Sequence, residues 1–113
     1  MPAAPAEFLL VMTTTDSEAE AARLAGGLVE ARLAACVQVV GPMLSTYRWR
    51  GQVERAAEWL CLIKTSAERY GTVERWLAEQ HSYDTPEVTA VPISQGSHAY
   101  LGWLAGSVSA AGA

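Results

Sequence analysis

Residues 33–65 read LAACVQVVGPMLSTYRWRGQVERAAEWLCLIKT, two apolar runs on either side of an aromatic, glycine-bearing middle. The runs at 35–40 and 59–65 have the β-branched composition of strands. Arg50-Gly51 predicts a two-residue hairpin turn, because glycine takes the positive φ that such a turn needs. Gly41-Pro42 interrupts the first strand. Proline has no N–H for a ladder, so a bulge or an edge is expected there. A hairpin of this length runs past the body of a small domain, and a half-apolar ribbon left in water is an aggregation site. The reading that removes the difficulty is an oligomer in which other copies of the chain cover the ribbon, with function lying between subunits.

The run Phe8 to Met12 is short and apolar, as a strand buried on both faces would be, and Thr13 to Thr15 end it. Thr15 or Asp16 is the expected cap of a helix over 17–32, with Ala21, Leu24, Ala25, Leu28 and Ala31 on one face. Gly26-Gly27 inside it suggests close packing of helix on sheet. Downstream, Ser66 caps a helix over 67–80, with Tyr70, Val73 and Leu77 on one face and Trp76 beside them. Pro86 ends the segment after it. Residues 87–94 make a fourth strand that Pro92 marks as an edge, and Ser97 caps a short last helix. The order is β-α-β-β-α-β plus a terminal helix. It predicts an α+β, ferredoxin-like split βαβ fold: an antiparallel sheet with two helices on one face and an extended hairpin between its second and third strands. The domain covers 7–106, between a disordered tail at 1–6 and a frayed one at 107–113.

The chain of 113 residues carries a formal charge of −4, from 12 acidic and 8 basic side chains. Nucleic acid requires a basic face, and only Arg48 and Arg50 stand close together, so no nucleic-acid partner is expected. No run approaches the length of a membrane span, and the Pro/Ala start lacks the basic and apolar regions of a signal peptide. Two cysteines make no disulfide framework. In the predicted register Cys36 faces Lys64 and Thr65, not Cys61. A reducing, cytoplasmic location is expected.

Catalytic patterns are thin: there is no nucleophile elbow, no glycine-rich phosphate loop and no Cys-x-x-Cys. No enzymatic activity and no required cofactor are expected. Lys64 is the only lysine, at the end of an apolar strand, and Glu58 lies on the same strand at even spacing. A charge there should be paired, which predicts a Glu58–Lys64 or interchain ion pair, with ligand binding as the alternative. Tyr47, Trp49, Tyr83, Tyr100 and Trp103 come from three regions. With Glu58, Lys64 and Thr65 they would line an intersubunit cleft, or else serve as packing anchors. For a metal, Cys36, Cys61 and His81 are the candidate ligands, a set suited to copper or zinc. Core packing is the plainer role for the cysteines.

Several of these stretches together resemble the CutA family of divalent-cation-tolerance proteins: LAACV at 33–37, STYRWRG at 45–51, Glu58, IKT at 63–65, HSYDTPE at 81–87 and YLGW at 100–103. They follow the family's order and span Phe8 to Trp103. The resemblance implies a cytoplasmic homotrimer whose long hairpins build the intersubunit contacts, and a role in tolerance of divalent metal ions, copper especially. It implies no enzymatic class. The chain departs from the family in having Ser82 where proline is frequent. It also has Thr13–Thr15 and Gln80 where the resemblance places the cysteine and second histidine of copper-binding members. The family's trimer is similar to that of the PII signalling proteins, which bind small effectors between subunits. This gives the alternative of a signalling trimer for a small anionic molecule, met by Lys64 and walled by Trp49, Tyr83, Tyr100 and Trp103. A scaffold presenting partner-binding surfaces is a third possibility.

Overall fold

The apolar run at the start becomes β1 (Phe8–Thr15), and Ser17 begins α1 (Glu18–Glu30) by accepting a hydrogen bond from the Glu20 N–H at 3.1 Å. The cap is Ser17 rather than Thr15 or Asp16, because β1 runs to Thr15, whose hydroxyl donates to the Ser17 carbonyl instead. β2 (Cys36–Trp49) and β3 (Gln52–Ser66) form the long hairpin. A 3₁₀ turn capped by Ser66 leads into α2 (Tyr70–Gln80), and β4 (Thr89–Pro92) and α3 (His98–Ser107) close the chain. This computed structural model describes residues 6–109.

The strands form one antiparallel sheet in the order β2-β3-β1-β4, the ferredoxin-like α+β fold. Pro92 lies on the edge strand β4, which pairs with β1 alone. One sheet face carries Val11, Cys61 and Ile63 into a core with Ala21, Leu24 and Leu28 of α1 and Val73 and Leu77 of α2. α3 packs against β3, and its Leu104 is fully buried outside that core. Residues 107 and 108, expected in a frayed tail, are packed. Ser107 ends the helix, Val108 is buried, and the Val108 carbonyl accepts from Arg69 Nε at 2.8 Å. Residues 110–113 of that tail, and 1–5 of the disordered tail expected over 1–6, lie outside the described residues; Ala6 and Ser109 are partly buried.

The two helix glycines separate by environment. A Cβ on Gly27 would stand 2.6 Å from Trp76 Cζ2, whereas one on Gly26 would meet nothing within 4 Å. The close approach is therefore of helix to helix, not helix to sheet. Gly27→Ala is expected to destabilise the fold by about 1–3 kcal/mol through overpacking. Gly26→Ala is expected to stabilise it by about 0.5–1 kcal/mol, because alanine loses less backbone freedom in a helix. Thermal melts of the two single variants check the opposite signs.

The hairpin turns at Arg50 and Gly51, with φ of 50° and 79°, between the paired Trp49 and Gln52. The register shifts between Val40 and Met43, the bulge anticipated at Gly41-Pro42. β1 pairs with β3 only as far as Trp59, so β3 from Gln52 to Glu58 has β2 as its sole partner and the hairpin leaves the body as a two-stranded arm. Leu44 is 73% exposed and Val53 53%. The radius of gyration is 15.0 Å, against about 13 Å for a compact domain of this length.

Candidate functional site

Side chains alternate across a strand, so Met43, Ser45, Tyr47 and Trp49 share one face of the arm, and Glu58, opposite Met43, shares it too. The segment after α2 folds against that face. Together they enclose an open groove of about 720 Å³ at the arm's root, which Thr14, Thr46, Asp84, Thr85, Pro86 and Glu87 complete. Its charged lining residues, Glu58, Asp84 and Glu87, are all acidic.

His81 holds the segment in place. Its ring is buried. Nε2 lies 2.8 Å from the Thr14 carbonyl oxygen and Nδ1 accepts the Tyr83 N–H at 3.0 Å. A carbonyl only accepts and a backbone N–H only donates, which fixes the Nε2–H tautomer. Tyr83 in turn donates its hydroxyl to Glu58 Oε2 at 2.8 Å. Burial, then the carboxylate of Glu58, push the Tyr83 phenol far above its ordinary range. It remains a hydrogen-bond donor at any physiological pH.

The expected cleft set divides. Tyr47, Trp49, Glu58 and Tyr83 meet in the groove. Lys64 does not: its ammonium is hydrogen-bonded to Gln38, and six residues of strand place it about 20 Å from Glu58. The ion pair expected within the chain is thus absent for want of reach. Thr65 is fully buried on the helix-facing side, donating to the Leu33 carbonyl at 2.6 Å. Tyr100 and Trp103 pack against each other on α3, ring centroids 5.5 Å apart and planes tilted by 41°, and do not line the groove of their own chain.

The expected metal ligands are not brought together either. Both ring nitrogens of His81 are engaged. Cys36 is opposite Lys64 and Cys61 opposite Val39, so the thiols leave opposite faces of the sheet. Among the described residues no group of three His, Cys, Asp or Glu side chains could hold a metal ion. Of the threonines at the end of β1, Thr13 and Thr15 are fully buried and Thr14 only borders the groove. Burial pushes the Cys61 thiol up to about 11, so at neutral pH it is a thiol and not a thiolate. Ellman titration of a Cys36→Ser variant is expected to show no reaction in native buffer and one thiol per chain in guanidinium. The unfolded chain ionises that thiol first, so its contribution to stability falls as pH rises from its ordinary value to about 11.

Sequence reasoning missed Met43, Ser45, Asp84 and Glu87. The odd-numbered alternation 43-45-47-49 was a usable signal, and Asp84 and Glu87 sit within the HSYDTPE stretch. What could not be read was that the bulge sets which face of the arm meets that segment.

Residues 9–107 match the family model described as CutA1 divalent ion tolerance protein. A Thermus thermophilus divalent-cation tolerance protein CutA is 41% identical over 95 residues, 84% of this chain and 92% of that one. The structure of CutA from Synechococcus elongatus superposes with a TM-score of 0.89 at 40% identity, covering 93% of both chains. The structure of a protein described as periplasmic divalent cation tolerance protein CutA, from Archaeoglobus fulgidus, gives 0.87 at 35% identity over 90% of this chain and 99% of that one.

Proposed function

The chain belongs to the CutA1 divalent ion tolerance family, and from that premise we propose that it serves tolerance of divalent metal ions, copper among them, as a non-catalytic homotrimer. The observation that carries the reading is the arm: a two-stranded ribbon with Leu44 and Val53 more than half exposed, on a chain otherwise able to bury its core. Apolar surface of that kind is stable in water when another copy covers it. The free thiols Cys36 and Cys61 suit a reducing, cytoplasmic setting. Among the described residues no helix is long and apolar enough to cross a membrane.

The dispersal of His81, Cys36 and Cys61 argues that tolerance does not run through a site built from them. Deleting the gene is expected to lower growth in rising copper and zinc. The wild-type chain should restore it, and so should a Cys36→Ser/Cys61→Ser double variant. Equal growth of deletion and parent strains would sink the proposal. A second reading, a PII-like trimer that takes a small effector, is supported by the groove at the arm's root.

A further inference from the structure

We propose that the groove binds a small organic cation, a protonated amine, with Glu58 as its counter-charge and Tyr47 and Trp49 as its walls. The inference deepens the second reading above and rests on it in one respect: the groove must stay open in the assembly.

Glu58 is only 9% exposed. Its Oε2 accepts from Tyr83, but among the described residues no basic side chain lies within ion-pair distance of it. A buried carboxylate without a compensating cation is costly, and this one borders a cavity large enough for a metabolite. Asp84 and Glu87 add negative charge at the rim and no basic residue lines the groove, so a small anion would be repelled. This reverses the ligand charge expected from Lys64, which stands elsewhere on the sheet.

The aromatic walls suit the same ligand class. The faces of Trp and Tyr rings attract cations. The Arg50 guanidinium already lies 5.6 Å from the Trp49 ring centroid, outside the groove lining. A chain of methylenes would pack on Met43 and the rings while an ammonium reached Glu58. Tyr83, held by His81 through its own N–H, keeps one carboxylate oxygen engaged and so orients the other.

The test is calorimetric titration of the full chain with three four-carbon probes: putrescine, 1,4-butanediol and succinate. Putrescine is expected to bind at least about tenfold more tightly than the diol, with no detectable succinate binding. Glu58→Gln keeps an acceptor for Tyr83 and should weaken putrescine at least about tenfold. Asp84→Asn, on the exposed segment, should weaken it several-fold without touching the core. Light scattering on each protein separates the two readings. Lost putrescine binding at unchanged mass supports the groove assignment. Equal binding of succinate overturns it, as does unchanged affinity in Glu58→Gln. So does the absence of any putrescine binding, the result expected were a cation from a neighbouring copy to neutralise Glu58. A monomeric wild type that still binds putrescine through Glu58 overturns the trimer alone.

Discussion

Leu44→Asp should reduce the particle from three chains to one and lower its melting temperature by roughly 10–20 °C. Leu44 lies on the face of the arm opposite the groove, paired with Ala57, and is 73% exposed within one chain. Nothing in the chain's own core depends on it. If a neighbouring copy covers it, a carboxylate placed there is buried without a partner in every interface of the assembly, at several kcal/mol each. If nothing covers it, the substitution changes an exposed side chain and costs about 0.5 kcal/mol or less. Val29→Asp is the matched control. Val29 is also an exposed apolar residue, on α1, away from the arm, and its replacement should leave the mass unchanged. Light scattering of the two variants at the same concentration checks the contrast.

His81→Ala should destabilise the fold by about 2–4 kcal/mol and leave the affinity for Cu²⁺ and Zn²⁺ where it was. The imidazole bridges β1 and the segment that follows α2, receiving the Tyr83 N–H and pairing with the Thr14 carbonyl. Alanine removes the side-chain partner of the Thr14 carbonyl and of the part-buried Tyr83 N–H, at roughly 1–2 kcal/mol each. The damage should be local. Hydrogen exchange should speed up over residues 81–87, while the amides of β3 between β1 and β2 keep their protection. Denaturant unfolding gives the stability and metal titration gives the affinity. A large loss of metal affinity with full retention of stability would make His81 a ligand and overturn the positioning role.

These two residues show how unevenly the sequence discloses its function. The fold is written in local signals: alternation and β-branching in the strands, Ser66 and Ser97 ahead of their helices, Arg50-Gly51 at the turn and Gly41-Pro42 at the bulge. Each acts within a few residues, and each reappears as an element, a cap or a register shift. The groove is different, because it depends on two segments meeting. Even spacing correctly put Glu58 and Lys64 on one sheet face, but a shared face is not a shared site when the strand separates the two charges by about 20 Å. Tyr83 reaches Glu58 only because His81 turns the chain after α2 back toward β1. That is a tertiary contact with no periodicity to announce it. Histidine chemistry suggested a metal ligand, and burial between two backbone groups made it a brace. Thr65 is a parallel case. Its position in the IKT stretch marks it, yet its hydroxyl is spent on the Leu33 carbonyl.

Of the aromatic residues expected in the cleft, Tyr100 and Trp103 do not line the groove of their own chain, and Trp103 is 50% exposed. In a trimer they and the outer face of the arm are the apolar surfaces that copies would exchange. Whether copies exchange them shows in the mass of the particle in solution. Size-exclusion chromatography with light scattering, on the wild-type chain at micromolar concentration and below, is predicted to give about three times the 12.1 kDa of the chain, unchanged on dilution. A stable species at the mass of a single chain, soluble and folded with its arm in water, would contradict it.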